Sequence, residues 1–501
     1  MRFAIVLLAV AATLGPSGND AAVAQGEQFL FVTTGEGQTL GVVHAGIASF
    51  KGLPYASPPM GSQRWRAPQP PPVRPEILTA DRYGPACLQP PIPGEPARDP
   101  VSEDCLTVNV FRPFEVNSQL PVVVWIHGGS FVTGAGGDPL YDGSRLAQEG
   151  VIVVTFNYRL GPLGWFAHPA LTQDGSDGTN ANYGMMDQLA ALRWVRDNIG
   201  AFGGDPDNVT LFGGSSVALL MLCGGSSGLF QKAIIQSGTG REPMRSLEQA
   251  AMAGKQFSQL AGAAGSISDL RATDPEKLLS AENSLLERSA MSFYPIIDGT
   301  LVKQSIADGF RTGQENRVPL IIGTNDDDAD PFEAKFEQEL KLAGDSIETL
   351  QDLYPEASGD PDEIASKLHT DRVFTEPARL LARAHAAKGF STYRYRFSYR
   401  PEQQSSRVAA GHGGELQFVF GTLGVPNGGL FTYRDRETSN ILRAYWTNFA
   451  KNGDPNGAGL PVWDQSSKDD KLLLVSNAGI SSRIDPWAGR LDRLEHRSER
   501  R

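Results

Sequence analysis

Val209-Thr-Leu-Phe-Gly-Gly-Ser-Ser-Val-Ala-Leu-Leu-Met-Leu222 holds two apolar runs separated by two glycines and two serines. The first run reads as a buried strand and the second as the opening turns of an apolar helix. A sharp strand-to-helix turn at a serine lifts the hydroxyl out at the carboxyl edge of a sheet, and its motif is Gly-x-Ser-x-Gly. Here the motif stands as Gly213-Gly214-Ser215-Ser216-Val217, with valine in the place of the last glycine. Ser215 is therefore the candidate nucleophile, and Ser216 the next backbone donor.

Outward from this stretch the pattern repeats. Leu120–Ile126 and Val151–Phe156 are continuous apolar runs, as expected of strands covered on both faces. An amphipathic helix is expected over Gly184–Asn198, through Met185, Leu189, Leu192 and Val195. Further strands are expected at Leu106–Phe111, Lys232–Gln236, Val318–Gly323, Ser391–Tyr399 and Lys471–Val475, and helices near Pro377–Lys388 and Thr438–Lys451. Strands alternating with helices predict an α/β fold with a mostly parallel central sheet flanked by helices. The helical, polar stretch from 242 to 315 reads as an insertion over the sheet and its active site. No repeat or interdomain linker is evident, so residues 25–490 read as one domain and 491–501 as a polar tail.

Acyl transfer needs a nucleophile, a base, an acid that orients the base, and donors for the oxyanion. His127-Gly-Gly-Ser130 follows a buried strand, and its glycines let the backbone present N–H groups to a cleft. Gly129, Ser130 and Ser216 are the oxyanion candidates; the plainer reading of the loop is a simple turn. His412 is the base candidate among 7 histidines, because it sits among glycines in Gly411-His-Gly-Gly-Glu415. The acid candidate lies in Asn325-Asp-Asp-Asp328, past another buried strand. Three adjacent aspartates also suit a solvated or cation-binding turn, but they lack the EF-hand spacing. The chain order serine, acid, histidine is the order this architecture uses.

Composition bounds the alternatives. The 501 residues are 40% hydrophobic and 20% charged, ordinary for a globular protein. A net charge of −12 argues against nucleic acid or an anionic membrane as partner. Arg2, the apolar run Phe3–Leu14 and Ala22-Val-Ala24 together read as a signal peptide spanning residues 1–24, which predicts a secreted or periplasmic protein without a stable membrane anchor. Export permits disulfides. Cys87 and Cys105 bracket a proline-rich loop and could bridge or stay reduced, whereas Cys223, in the apolar helix, reads as a buried free thiol. The 3 cysteines lack the spacing and histidine partners of a zinc site, so no metal is expected.

Several segments together resemble the type-B carboxylesterase and lipase family, the cholinesterase-like branch of the α/β-hydrolases. They are Phe50-Lys-Gly-Leu-Pro-Tyr-Ala, Glu103-Asp-Cys-Leu106, Trp125-Ile-His-Gly-Gly-Ser-Phe131, Asn157-Tyr-Arg-Leu-Gly-Pro-Leu-Gly164, Asn182-Tyr-Gly-Met-Met-Asp-Gln188 and Tyr445-Trp-Thr-Asn-Phe-Ala450. The resemblance implies the α/β-hydrolase fold, hydrolysis of small-molecule carboxylic esters through an acyl-enzyme, and no cofactor. It implies a Cys87–Cys105 bridge. It places the acid on Asp328, where the family has glutamate, and the base on His412.

The nucleophile allows two alignments. Counted from the strand, Ser215 falls on the family serine. Counted back from Gly228-Leu-Phe230, four residues are missing after Gly213, and they are the Glu-Ser-Ala-Gly that carries that serine. Four residues are about one helical turn, so a helix one turn shorter keeps its apolar face in phase. Two functions follow: a secreted serine carboxylesterase using Ser215, Asp328 and His412, or a catalytically impaired relative acting as a binding protein.

Overall fold

In the computed structural model the expected strands form one 13-stranded sheet among the described residues. Those residues are 28–91, 100–173, 181–263, 266–288, 293–329, 336–403, 410–425, 428–466 and 469–499. The expected signal peptide lies outside them. The main strands are β1 (Gln28–Thr34), β2 (Gly37–His44), β3 (Ile47–Pro54), β4 (Thr107–Pro113), β5 (Leu120–Ile126), β6 (Ile152–Phe156), β7 (Gly204–Gly213), β8 (Lys232–Gln236), β9 (Leu320–Asn325), β10 (Thr392–Phe397), β11 (Lys471–Ser476) and β12 (Gly479–Ile484). Their spatial order is β1-β2-β3-β4-β6-β5-β7-β8-β9-β10-β11-β12. From β6 to β11 every neighbour is parallel, and antiparallel pairs close both edges.

The parallel strands are apolar without a break because helices cover both faces. In β5, Val122, Val124 and Ile126 join one core cluster while Val123 and Trp125 join the other, which is the period of two that a strand imposes. Helices α1 (Tyr183–Asn198) and α2 (Ser215–Leu222) pack on the first face. The insertion carries α3 (Leu247–Leu260), α4 (Ile267–Ala272) and α5 (Pro275–Arg288). It adds Phe257, Leu270, Leu278 and Leu285 to the same cluster. Arg64 ties it down: its guanidinium donates to the carbonyls of Leu270, Arg271 and Thr273 and pairs with the buried Glu103. The second face is covered by α7 (Tyr433–Asn452) through Leu442, Tyr445, Trp446 and Phe449, and α6 (Glu376–Ala386) packs on β9 and β10.

Residues 491–499 of the expected polar tail are described. Most of the stretch from 491 is helical, within α8 (Ala488–Ser498), with Leu491 and Leu494 buried. Its polar residues have partners that sequence hides: Arg379 donates to Asp492 at 2.7 Å and Arg383 to Glu495 at 3.0 Å, both from α6. Cys87 and Cys105 form a disulfide, and Cys223, the residue that caps α2, is a buried free thiol whose burial pushes its pKa up.

Candidate active site

Because β5, β7, β8 and β9 are parallel, the segments that follow them emerge at one edge of the sheet. There stand the glycine loop after β5, Ser215 after β7, Ser237–Thr239 after β8, and Asp328 after β9.

The acid and base candidates are brought together. His412 Nδ1 lies 3.1 Å from Asp328 Oδ1. Asp328 is buried, while the His412 side chain is 57% exposed. The Asp328 carboxylate also accepts the Asn325 N–H at 2.7 Å and faces the Ser237 hydroxyl at 2.9 and 2.8 Å from its two oxygens. The two loops are stitched by Asp327 N–H to the Ala410 carbonyl and by the Asn325 amide to the Gly411 carbonyl. Behind them the buried Glu415 accepts from Gln236 and Asn325; burial, with Asp328 close by, pushes its pKa up. Phe374 packs its ring against His412 with centroids 5.3 Å apart.

The other two aspartates go elsewhere. Asp326 pairs with Lys367 and Arg396, and Asp327 with Lys367 and Arg400. Burial works to raise the Asp326 carboxyl, but Arg396 and Lys367 overcome it and hold it below the usual carboxylate range.

The glycine loop is more than a simple turn. Gly129, Ser130 and Phe131 take positive φ values of 103°, 53° and 63° in succession. A Cβ on Gly129 would lie 2.1 Å from the Thr133 carbonyl oxygen, so only glycine fits. The loop is held by Val132 and Thr133 N–H groups on the Gly129 carbonyl. Gly128, Gly129 and Ser130 are exposed, and among the described residues the Gly129 and Ser130 N–H groups bond no protein acceptor. Successive exposed N–H groups in such a conformation form an anion-accepting concavity.

The serine is placed differently from the motif. Ser215 begins α2, with Gly214 as its N-cap at φ −94°, and neither Ser215 nor Ser216 has a positive φ. The strained elbow is absent. Gly213 carries the sharp turn instead, at φ 156°, where a Cβ would meet the Ile126 carbonyl at 2.5 Å. Val217, in the place of the motif's glycine, is fully buried in the core. Ser216 is buried, and its hydroxyl accepts from Gln188 at 3.0 Å. Ser215 Oγ accepts the Thr239 N–H at 3.0 Å and lies 3.1 Å from the Thr239 hydroxyl. Among the described residues it makes no hydrogen bond to His412; such bonds commonly tighten only with substrate. Sequence reasoning missed Ser237 and Thr239, although Ser237-Gly-Thr-Gly240 directly follows a buried strand at the same sheet edge.

This arrangement has well-matched relatives. The profile of the Carboxylesterase family matches residues 28–358 and 348–483. The chain is 37% identical over 500 residues to the para-nitrobenzyl esterase of Bacillus subtilis (strain 168), covering 92% of this chain and 98% of that one. It is 33% identical to the fumonisin B1 esterase of Sphingopyxis macrogoltabida, covering 86% and 84%. Among solved structures, a thermophilic PNB esterase superposes with a TM-score of 0.81 at 35% identity, over 93% of this chain and 99% of that one. A Geobacillus stearothermophilus carboxylesterase also gives a TM-score of 0.81, at 33% identity and the same coverage. The chain belongs to the carboxylesterase family, carboxylic ester hydrolases on the α/β-hydrolase fold. These esterase relatives do not favour the binding-protein alternative. Among the described residues no helix is long and apolar enough to cross a membrane.

Proposed function

We propose that this protein hydrolyses small carboxylic esters through an acyl-enzyme on Ser215. The observation that carries the reading is the Asp328–His412 pair, with its carboxylate held by Asn325 and Ser237, at the same sheet edge as an open glycine loop. With Nδ1 facing Asp328, Nε2 of His412 takes the proton from Ser215 Oγ, which attacks the ester carbonyl carbon. The developing oxyanion meets the N–H groups of Gly129, Ser130 and Ser216. The alcohol leaves with the proton from His412, and water repeats the sequence to release the acid. Steady-state hydrolysis of p-nitrophenyl acetate by wild type and Ser215→Ala tests the reading. Loss of turnover in the variant supports it; wild-type turnover in the variant contradicts it.

We also propose export. The N-terminal run and the Cys87–Cys105 bridge support it. N-terminal sequencing of protein recovered outside the cytoplasm should begin at Gln25; a chain retaining residues 1–24 inside the cell would refute export. The bridge closes a short loop and is worth about 3 kcal/mol in the chain-entropy account, so Cys87→Ser/Cys105→Ser should melt below wild type.

A further inference from the structure

The segment after β8 touches both halves of the site. At one end Ser237, in the left-handed region at φ 49°, faces both oxygens of Asp328. At the other end the Thr239 N–H and hydroxyl converge on Ser215 Oγ at 3.0 and 3.1 Å. Gly238 lies between them, where a Cβ would sit 3.4 Å from the Ser215 nitrogen and 2.6 Å from Ile235. The segment is anchored on both sides: Ser237 N–H donates to the Gly323 carbonyl, and the Gly240 carbonyl accepts from Ala307. It is a short, braced strap pressed against the start of α2.

A strained turn ordinarily fixes the serine of such an elbow. Here Ser215 has no positive φ and opens a helix, so its backbone does not supply that constraint. A serine hydroxyl is a rotor, and its position is set by what it bonds. We infer that Thr239 is a positioning residue for Ser215, replacing the lost backbone strain with two hydrogen bonds to Oγ. Thr239 acts through Ser215, by holding the oxygen that reacts. The Thr239 N–H donates to Oγ, and with the Thr239 hydroxyl turned to donate as well, the serine's own proton is left for His412. The same two donors stabilise the negative charge on Oγ as that proton departs.

The inference rests on Ser215 being the nucleophile, and the experiment separates the two. Wild type, Ser215→Ala, Thr239→Val and Thr239→Ser are compared on p-nitrophenyl acetate, together with the rate at which a fluorophosphonate labels Ser215. Thr239→Val keeps the shape and the N–H but removes the hydroxyl. It should lower kcat and the labelling rate about tenfold, the scale of one lost hydrogen bond in a site, with KM nearly unchanged. Thr239→Ser should restore both. Wild-type or faster kcat and labelling in Thr239→Val would overturn the inference, as would a loss that serine fails to restore. If Ser215→Ala abolishes turnover while Thr239→Val leaves it intact, the inference alone falls. If Ser215→Ala keeps wild-type turnover, or wild type neither turns over nor labels, the Ser215 reading falls and takes the inference with it.

Discussion

The two halves of the site are built in different ways. On the acid–base side, three loops are laced together and Asp328 has its acceptor positions filled before any substrate arrives. On the nucleophile side, the strained turn is gone and Ser215 is held by a neighbouring loop. The first half is preorganised by burial and by hydrogen bonds from Asn325, Ser237 and His412 on three different segments of the chain. The second relies on a strap that belongs to another strand. The altered turn leaves the sheet edge intact: α2 still buries Val217, Ala218, Leu219, Leu220 and Met221.

The largest expected effect comes from breaking the intact half. His412→Ala should lower turnover of a p-nitrophenyl ester by about a hundredfold or more, as loss of a general base does. Circular dichroism should be unchanged, because the side chain is largely exposed. Near wild-type turnover would mean the comparison is misdrawn.

The next effect comes from repairing the other half. Inserting Glu-Ser-Ala-Gly between Gly213 and Gly214 should raise kcat/KM on short activated esters on the order of tenfold or more, since placement of the reacting atom is worth that scale. The gain should vanish when His412→Ala is added, because nucleophile and base act as a unit. An inserted chain no more active than wild type would show that Ser215 is already well placed.

A smaller effect is expected at Ser237. Ser237→Ala removes a hydroxyl that faces both oxygens of the Asp328 carboxylate, so the acid that orients His412 is held less firmly. The kcat on a p-nitrophenyl ester should fall several-fold with KM nearly unchanged. A wild-type kcat in the variant would show that the hydroxyl does not hold the pair.

The mildest test lies behind the glycine loop. Glu282 of α5 is buried, and among the described residues one of its oxygens has no hydrogen-bond partner; it lies close against Gly161, whose N–H bonds the Phe131 carbonyl. Burial pushes the Glu282 carboxyl up to about 8. A carboxyl raised in the folded state costs stability as pH climbs from the ordinary carboxylate range to that value. Glu282→Gln should match the wild-type melting temperature near pH 4 and exceed it near pH 8, both pH values being about the limits of that window. Equal melting at both would contradict the assignment.

Much of this was legible in the residues. The runs that became β5, β6 and β8 are apolar without interruption because both sheet faces are covered, and that leaves a plain mark in sequence. The glycine loop and His412 were legible because glycine marks special backbone. The choice among Asp326, Asp327 and Asp328 was legible only through family position. Their distinct partners, Lys367, Arg396, Arg400 and Ser237, lie far along the chain and meet them only in three dimensions. The last helix was not legible for the same reason: its polar face is matched by arginines on α6. The backbone at Ser215 was not legible, because two alignments of one short stretch demand different turns and only the fold shows which turn forms.

The most direct test of the central claim is to treat the wild-type protein with a fluorophosphonate and map the modified peptide. The account predicts one adduct, on Ser215, absent in Ser215→Ala and much slower to form in His412→Ala. Active protein with no adduct at Ser215, or with an adduct at another residue that persists in Ser215→Ala, would contradict it.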